Sequence, residues 1–330
     1  MVKVGSLNIS PPLLNAACAW ASDLDQLQAL FDCPYTGAVV TRTATIEGFA
    51  EDASHTVAFA TSSTTSLNSY GYSPHRLSQY LSWIESILSL AKSTANSPSK
   101  KPFIISITAT QTDDMHSIVD AIQALRAQAP VYANIGVEFN TSCPNIRGSA
   151  PSGYAFTDLV PVLDVLADAW RADNTLTIGL KLPPYVYGAQ FAQVFETLRG
   201  LSTSRSAEED GSGIHPIAYV ACTNTLGNAL LFPEQVEGAS TPFAVPTALG
   251  GVAGDTLHPL ALGNVYSFAR LLEAEDSTSA LKNLVIVGIG GVTSAEAAER
   301  MRRAGASIVG SATLFGGEGV RAFKILSGEV

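Results

Sequence analysis

The residues of this sequence best suited to chemistry are one cysteine, one lysine, one arginine and a set of amides, each closing a short apolar run. NTSCPN (Asn140–Asn145) puts Cys143 beside a proline just past such a run. A thiol there works as base or nucleophile only through its thiolate, so it needs a lowered pKa or a proton transfer concerted with another step. An inert, partly buried thiol is the competing reading, and it is the one adopted for Cys33 and Cys222. GLKLPPY (Gly179–Tyr185) sets Lys181 between Leu180 and Leu182. An ammonium in that setting is expensive to bury unless it meets an anion. TNTLGN (Thr223–Asn228) and SLNSYG (Ser66–Gly71) add amides that donate and accept. Such groups suit a planar heterocycle with alternating N–H and C=O edges.

Two glycine-bearing runs follow late in the chain, VGIGG (Val287–Gly291) and VGSA (Val309–Ala312). Backbone N–H groups bared by glycine and aimed from helix N-termini form a phosphate cradle; tight turns alone are the alternative. A dinucleotide fingerprint fails, because Thr293 stands where the third glycine would fall after Gly288 and Gly290. A P-loop fails for want of any Gly-Lys pair. The four cysteines contain no CxxC, and the five histidines show no metal-ligand spacing, so no metal is expected. His55, His75, His116, His215 and His258 are read as surface or turn residues. NTS is also a glycosylation sequon, which a cytosolic strand end would leave unused.

These residues need a scaffold that gathers strand ends. Near-continuous apolar runs predict strands at Leu13–Cys18, Gly37–Thr43, Phe103–Thr108, Ile135–Asn140, Thr177–Leu182, Ile217–Cys222, Leu284–Gly288 and Ser307–Ser311. Helical patterns alternate with them at Asp23–Phe31, Pro74–Ala91, Asp114–Gln128, Asp158–Ala172, Gly188–Leu198, Asn264–Glu273 and Ser294–Ala304. Eight βα units argue for one closed (β/α)8 TIM barrel over residues 1–330, an α/β fold; an open doubly wound sheet is the alternative. Glu47–Tyr72, Leu201–His215 and Phe232–Leu257 read as loop insertions over its C-terminal face, the middle one as a surface loop. Active sites of such barrels form at that face. The polar residues predicted there are Arg42, Asn140, Lys181, Asn224, Gly290, Gly291, Gly310 and Ser311.

Composition narrows the partners. The 330 residues are 46% hydrophobic and 15% charged, with a net charge of −10, which excludes a disordered chain and a nucleic-acid platform. Any anionic ligand must be held by a few local donors. The opening MVKVGSLNIS lacks the features of a secretory leader, and no run approaches 18 apolar residues. No membrane partner and a cytoplasmic address are expected.

In this order and spacing, NTSCPN, KLPPY, TNTLGN, VGIGGV and VGSA resemble the dihydroorotate dehydrogenase family, over nearly the whole chain from PPLLNAACAW onward. Cysteine in the first motif resembles the soluble class 1A, fumarate-linked form. The resemblance implies an FMN-dependent barrel, usually a homodimer, that oxidises (S)-dihydroorotate to orotate with fumarate as acceptor. By motif, Cys143 would be the general base. Arg42, Asn68, Gly71, Asn140, Asn145, Asn224 and Thr225 would bind substrate. Ala17, Lys181, Gly250, Gly251, Gly290, Gly291, Gly310 and Ser311 would bind FMN, with Lys181 at the flavin edge and the glycines and Ser311 around the phosphate. Two departures stand out: Arg42 replaces the family's lysine, and Cys18 stands where relatives place glycine beside the flavin. Arginine keeps the charge but is planar and larger. These departures keep open an FMN oxidoreductase for another small carboxylate or reduced pyrimidine, and a non-catalytic flavin-binding dimer.

Overall fold

The computed structural model describes residues 1–94, 101–143, 145, 152–203, 215–238 and 242–329. Eight parallel strands form the central sheet: Leu13–Asn15, Val39–Val40, Phe103–Ile107, Ile135–Asn140, Ile178–Leu182, Ile217–Cys222, Val285–Ile289 and Ile308–Ser311. Each pairs with its neighbour in chain order, and the last pairs back to the first at Gly310↔Leu14. A single parallel bridge, Leu14↔Ala38, completes the ring. The expected TIM barrel is the fold.

Burial on both faces explains why these strands are near-continuously apolar, with Glu138 and Lys181 as charged exceptions. Leu14, Val40, Ile104, Val287 and Ile308 point into the barrel and meet Leu7 and Ile9 of an N-terminal hairpin, Val2–Val4 with Leu7–Ile9. That hairpin plugs the barrel at the N-terminal ends of its strands, where Leu7 lies against Gly136. The other strand faces pack on the helices through a larger cluster that includes Leu27, Ile84, Ile118, Leu166, Phe195 and Phe268. The second strand is shorter than the predicted Gly37–Thr43, although Thr41 and Ala44 still donate to the carbonyls of Ile104 and Ser106.

Helix starts follow capping chemistry. Asp23 and Ser294 accept from the N–H groups of Gln26 and Ala297 and so open Leu24–Asp32 and Ala295–Arg303. One helix begins six residues before its predicted start, at His258 rather than Asn264, because Pro259 sits in its first turn, where a missing N–H costs nothing.

The insertions need correction. Glu47–Tyr72 contains the strands Val57–Phe59 and Thr65–Asn68, and Phe232–Leu257 contains Leu249–Gly254. With Leu226–Leu230 they form a four-stranded antiparallel sheet built over the barrel mouth. Its strands are rich in Thr, Ser, Asn and Gly, so they carry little alternation. Ala58, Leu67, Val236, Val245 and Val252 hold it on a small core of its own. The Leu201–His215 insertion lies largely outside the described residues. Among the described residues, no helix is long and apolar enough to cross a membrane.

Candidate active site

The C-terminal ends of the barrel strands and the underside of the four-stranded sheet enclose one cleft with two ends. Ala17, Asn224, Thr225, Ala253, Ala312 and Thr313 line both ends, so the two are continuous. The first end gathers Arg42, Asn68, Gly71, Asn140, Cys143, Asn145, Asn224 and Thr225. These are all the residues expected to bind substrate, together with the expected base. The second end gathers Ala17, Lys181, Gly290, Gly291 and Ser311.

Three residues expected at the second end line neither end. Gly250 and Gly251 sit in the antiparallel sheet, where a side chain on Gly250 would meet the Asn68 carbonyl oxygen at 2.5 Å. Further along that strand, Ala253 and Gly254 line the second end instead. Gly310 faces the barrel interior, where a side chain would strike Ile289 at 2.9 Å.

The amides of the first end are mutually tied. Asn140 Nδ2 donates to Thr43 Oγ1 at 3.0 Å, while its Oδ1 accepts from Ser142 N at 3.1 Å and Asn224 Nδ2 at 3.2 Å. Asn145 Nδ2 donates to Asn68 Oδ1 at 3.0 Å and to the Tyr70 carbonyl at 2.8 Å. Asn68 Nδ2 reaches the Gly251 carbonyl at 3.1 Å. Each amide is therefore fixed in rotation.

Cys143 lies against this frame, with Sγ 3.8 Å from the Tyr70 carbonyl oxygen. Burial pushes its thiol up to about 11, outweighing the Asn145 backbone N–H, Arg42 and Lys181, which pull the other way. A lowered thiol pKa does not hold in this state. Burial likewise lifts Cys18, which lines the same end, to about 12.

Arg42 is 6% exposed and already partnered. Its Nη2 meets Glu51 Oε1 at 2.8 Å and its Nη1 meets Glu51 Oε2 at 3.4 Å. The guanidinium lies over the Tyr70 ring, 5.1 Å from its centroid, and Nη2 also approaches the Gly71 carbonyl at 3.5 Å. Glu51 was not legible as a partner, since the eight residues Thr43–Ala50 separate it from Arg42 and nothing in that stretch signals a return.

At the second end, Lys181 is buried at 4% exposure, and its ammonium makes no hydrogen bond among the described residues. The Thr223 hydroxyl, also buried there, has no partner either among those residues. Gly290 and Gly291 take φ of 120° and 65°, and a side chain on Gly291 would fall 2.4 Å from His258 Cβ. His258 Nδ1 donates to the Gly290 carbonyl at 2.9 Å, and Arg300 Nε donates to Nε2 at 3.2 Å. His258 and His215 are both buried, contrary to the surface reading; His215 bonds the backbone of Leu198 and Ile217. Both sit at element ends with backbone carbonyls in reach, which composition does not reveal. Among the described residues, no group of acidic, histidine or cysteine side chains is placed to hold a metal.

Beneath Lys181, Glu138 is buried inside the barrel and accepts from Tyr219 OH at 3.2 Å. Burial raises its carboxyl pKa, against the opposing pull of Lys181 and the Tyr219 hydroxyl.

A family model described as dihydroorotate dehydrogenase matches residues 1–330. The chain is 26% identical over 334 residues to "Putative dihydroorotate dehydrogenase A (fumarate)" of Streptococcus equi subsp. equi (strain 4047), covering 99% of this chain and 91% of that protein. It is 28% identical over 326 residues to "Probable dihydroorotate dehydrogenase A (fumarate)" of Streptococcus pneumoniae serotype 4, covering 96% and 88%.

Proposed function

The chain belongs to the dihydroorotate dehydrogenase family, an oxidoreductase family, and on that premise we propose that it oxidises (S)-dihydroorotate to orotate with FMN as cofactor, Cys143 as base and fumarate as acceptor. The observation that carries this reading is the convergence of Cys143, the fixed amides and Lys181 on one continuous cleft.

The donor set fits FMN. A buried ammonium and a buried hydroxyl without partners among the described residues suit acceptor atoms of a polar ligand, since leaving them unmet costs stability. Lys181 would face the flavin ring edge, and the N–H groups at Gly290, Gly291 and Ser311 would hold the phosphate. Bound FMN supplies a hydride acceptor for C6 of the substrate.

The chain's own residues do the rest. The locked amides present a fixed pattern of donors and acceptors to the pyrimidine ring, so little ordering remains on binding. The resting Cys143 thiol first releases its proton to water, and the thiolate Sγ then takes the proton from C5 and becomes the thiol again. Arg42 supplies the cation for the substrate carboxylate, which no background field provides in a chain of net charge −10.

The test is the visible spectrum of purified protein before and after anaerobic dihydroorotate, with orotate measured as product. A yellow protein that bleaches with stoichiometric orotate is expected. A colourless protein that FMN cannot reconstitute overturns the reading.

A further inference from the structure

Arg42 is the cation that the substrate carboxylate needs, yet its two terminal nitrogens already face a carboxylate from the same chain. Glu51 reaches it from the segment leading into the antiparallel sheet, with 22% of its side chain exposed against 7% of the Arg42 side chain. The guanidinium is also held on its face by Tyr70 and on its edge by the Gly71 carbonyl, so it cannot swing away to find a second anion. Two-pronged pairing is the geometry that arginine offers a carboxylate. Paired in this way, Arg42 and Glu51 carry no net charge between them at the first end of the cleft.

We propose that Glu51 is a specificity-determining residue: it is a resident carboxylate that the ligand's own carboxylate must displace from Arg42. This rests on the reading above, that the first end binds a carboxylate-bearing pyrimidine. The exchange trades one charge-assisted pair for another, so ring contacts contribute more of the affinity and the acid group less. The cleft therefore separates an acid from its uncharged counterpart weakly. It also links ligand entry to release of Glu51, whose exposed side already faces water.

The test compares orotate with its uncharged amide, orotamide, by calorimetry and by flavin difference spectra on FMN-loaded protein. Glu51→Ala should tighten orotate roughly tenfold or more, the size of a hydrogen bond to a charged group that no longer has a competitor. Glu51→Gln, which keeps the shape and a weaker contact, should tighten orotate by a smaller factor. Orotamide affinity should move less than twofold in both, and a parent that binds orotate but not orotamide overturns the weak separation of acid from amide. The gain should vanish when Arg42→Ala is added to Glu51→Ala. Unchanged or weaker orotate binding in Glu51→Gln, with orotate still bound by the parent, overturns the role of Glu51 and leaves the assigned activity standing. If orotate binds neither the parent nor any Glu51 variant, the assigned activity and this role fall together.

Discussion

Tyr219 reaches Glu138 across the space that residue 179 leaves empty. Glu138, Gly179 and Tyr219 lie at one level on three adjacent strands. A side chain on Gly179 would stand 2.0 Å from the Tyr219 ring, so only glycine lets the phenol cross to its 3.2 Å contact with Glu138. The glycine of GLKLPPY therefore serves the layer beneath Lys181. The other Glu138 oxygen has no hydrogen-bond partner among the described residues, which makes the Tyr219 contact costly to lose.

Gly179→Ala should destabilise the fold by about 2–4 kcal/mol, combining overpacking with a less well satisfied buried carboxyl. Tyr219→Phe, which removes only the hydroxyl, should cost about 1–3 kcal/mol. Urea unfolding midpoints measure both. Equal stability of Gly179→Ala and the parent would mean that the ring has room to move aside.

Cys143→Ala should slow orotate formation by a factor on the order of 10²–10⁴, the usual share of a general base. FMN content should be unchanged, because Cys143 lines the first end of the cleft and not the second. Parent rates in Cys143→Ala at saturating substrate would place the base elsewhere.

The pH dependence follows from burial. With the Cys143 thiol lifted to about 11, the thiolate fraction grows about tenfold per pH unit throughout the neutral range. Turnover limited by that thiolate should climb from pH 7 to 10 without a plateau, and the slope should flatten in Cys143→Ala. The stability sign runs the other way: the raised thiol pKa favours the fold below the ordinary thiol range, and this contribution is lost as pH rises towards about 11. Initial rates across that range, paired with thermal unfolding, separate the two. A rate plateau near pH 8 would show that ligand binding brings the thiol down.

Much of this molecule could be read from its residues, for definite reasons. Parallel strands buried on two faces, such as Val285–Ile289, are near-continuously apolar, so the barrel left a plain signature. The sheet over its mouth left none, since Thr65–Asn68 has only Leu67 as a core residue and sits between the nearby Val57–Phe59 and a strand almost two hundred positions away. The residues that line the cleft were legible by type and place, apart from Gly250, Gly251 and Gly310, but their partners were not. Glu51 on Arg42, Asn145 on Asn68 and Tyr219 on Glu138 are pairings between elements, and spacing carries no record of them. The shift from Gly250 and Gly251 to Ala253 and Gly254 has the same origin: sheet register decides which end of a glycine-rich strand meets the cleft.

His258 ties the second end of the cleft to the helix behind it. Its ring joins the Gly290 carbonyl to Arg300, and its Cβ closes the space beside Gly291. His258→Ala should loosen this turn and weaken FMN retention roughly tenfold, consistent with loss of a turn-fixing hydrogen bond, with orotate contacts otherwise intact. FMN affinity by fluorescence quenching measures the change. Unaltered FMN affinity would show that the glycine turn holds its shape unaided.

Arg42 is where the charge of the cleft is decided, and Arg42→Lys and Arg42→Ala should part company. Lysine keeps a positive charge but offers a point donor in place of a fork, so it cannot hold both Glu51 oxygens in parallel. It also gives up the planar contact over the Tyr70 ring. A lysine there is freer to leave Glu51 for an incoming carboxylate, so Arg42→Lys should keep orotate affinity or raise it severalfold. Arg42→Ala removes the cation and leaves Glu51 as an unpaired anion beside the ligand. Orotate binding should then weaken by about 2–4 kcal/mol, in the range for breaking a desolvated charge pair. Titrating orotate into the FMN-loaded proteins distinguishes these outcomes. Equal affinity in Arg42→Ala and the parent would show that the guanidinium serves only Glu51 and the loop that carries it.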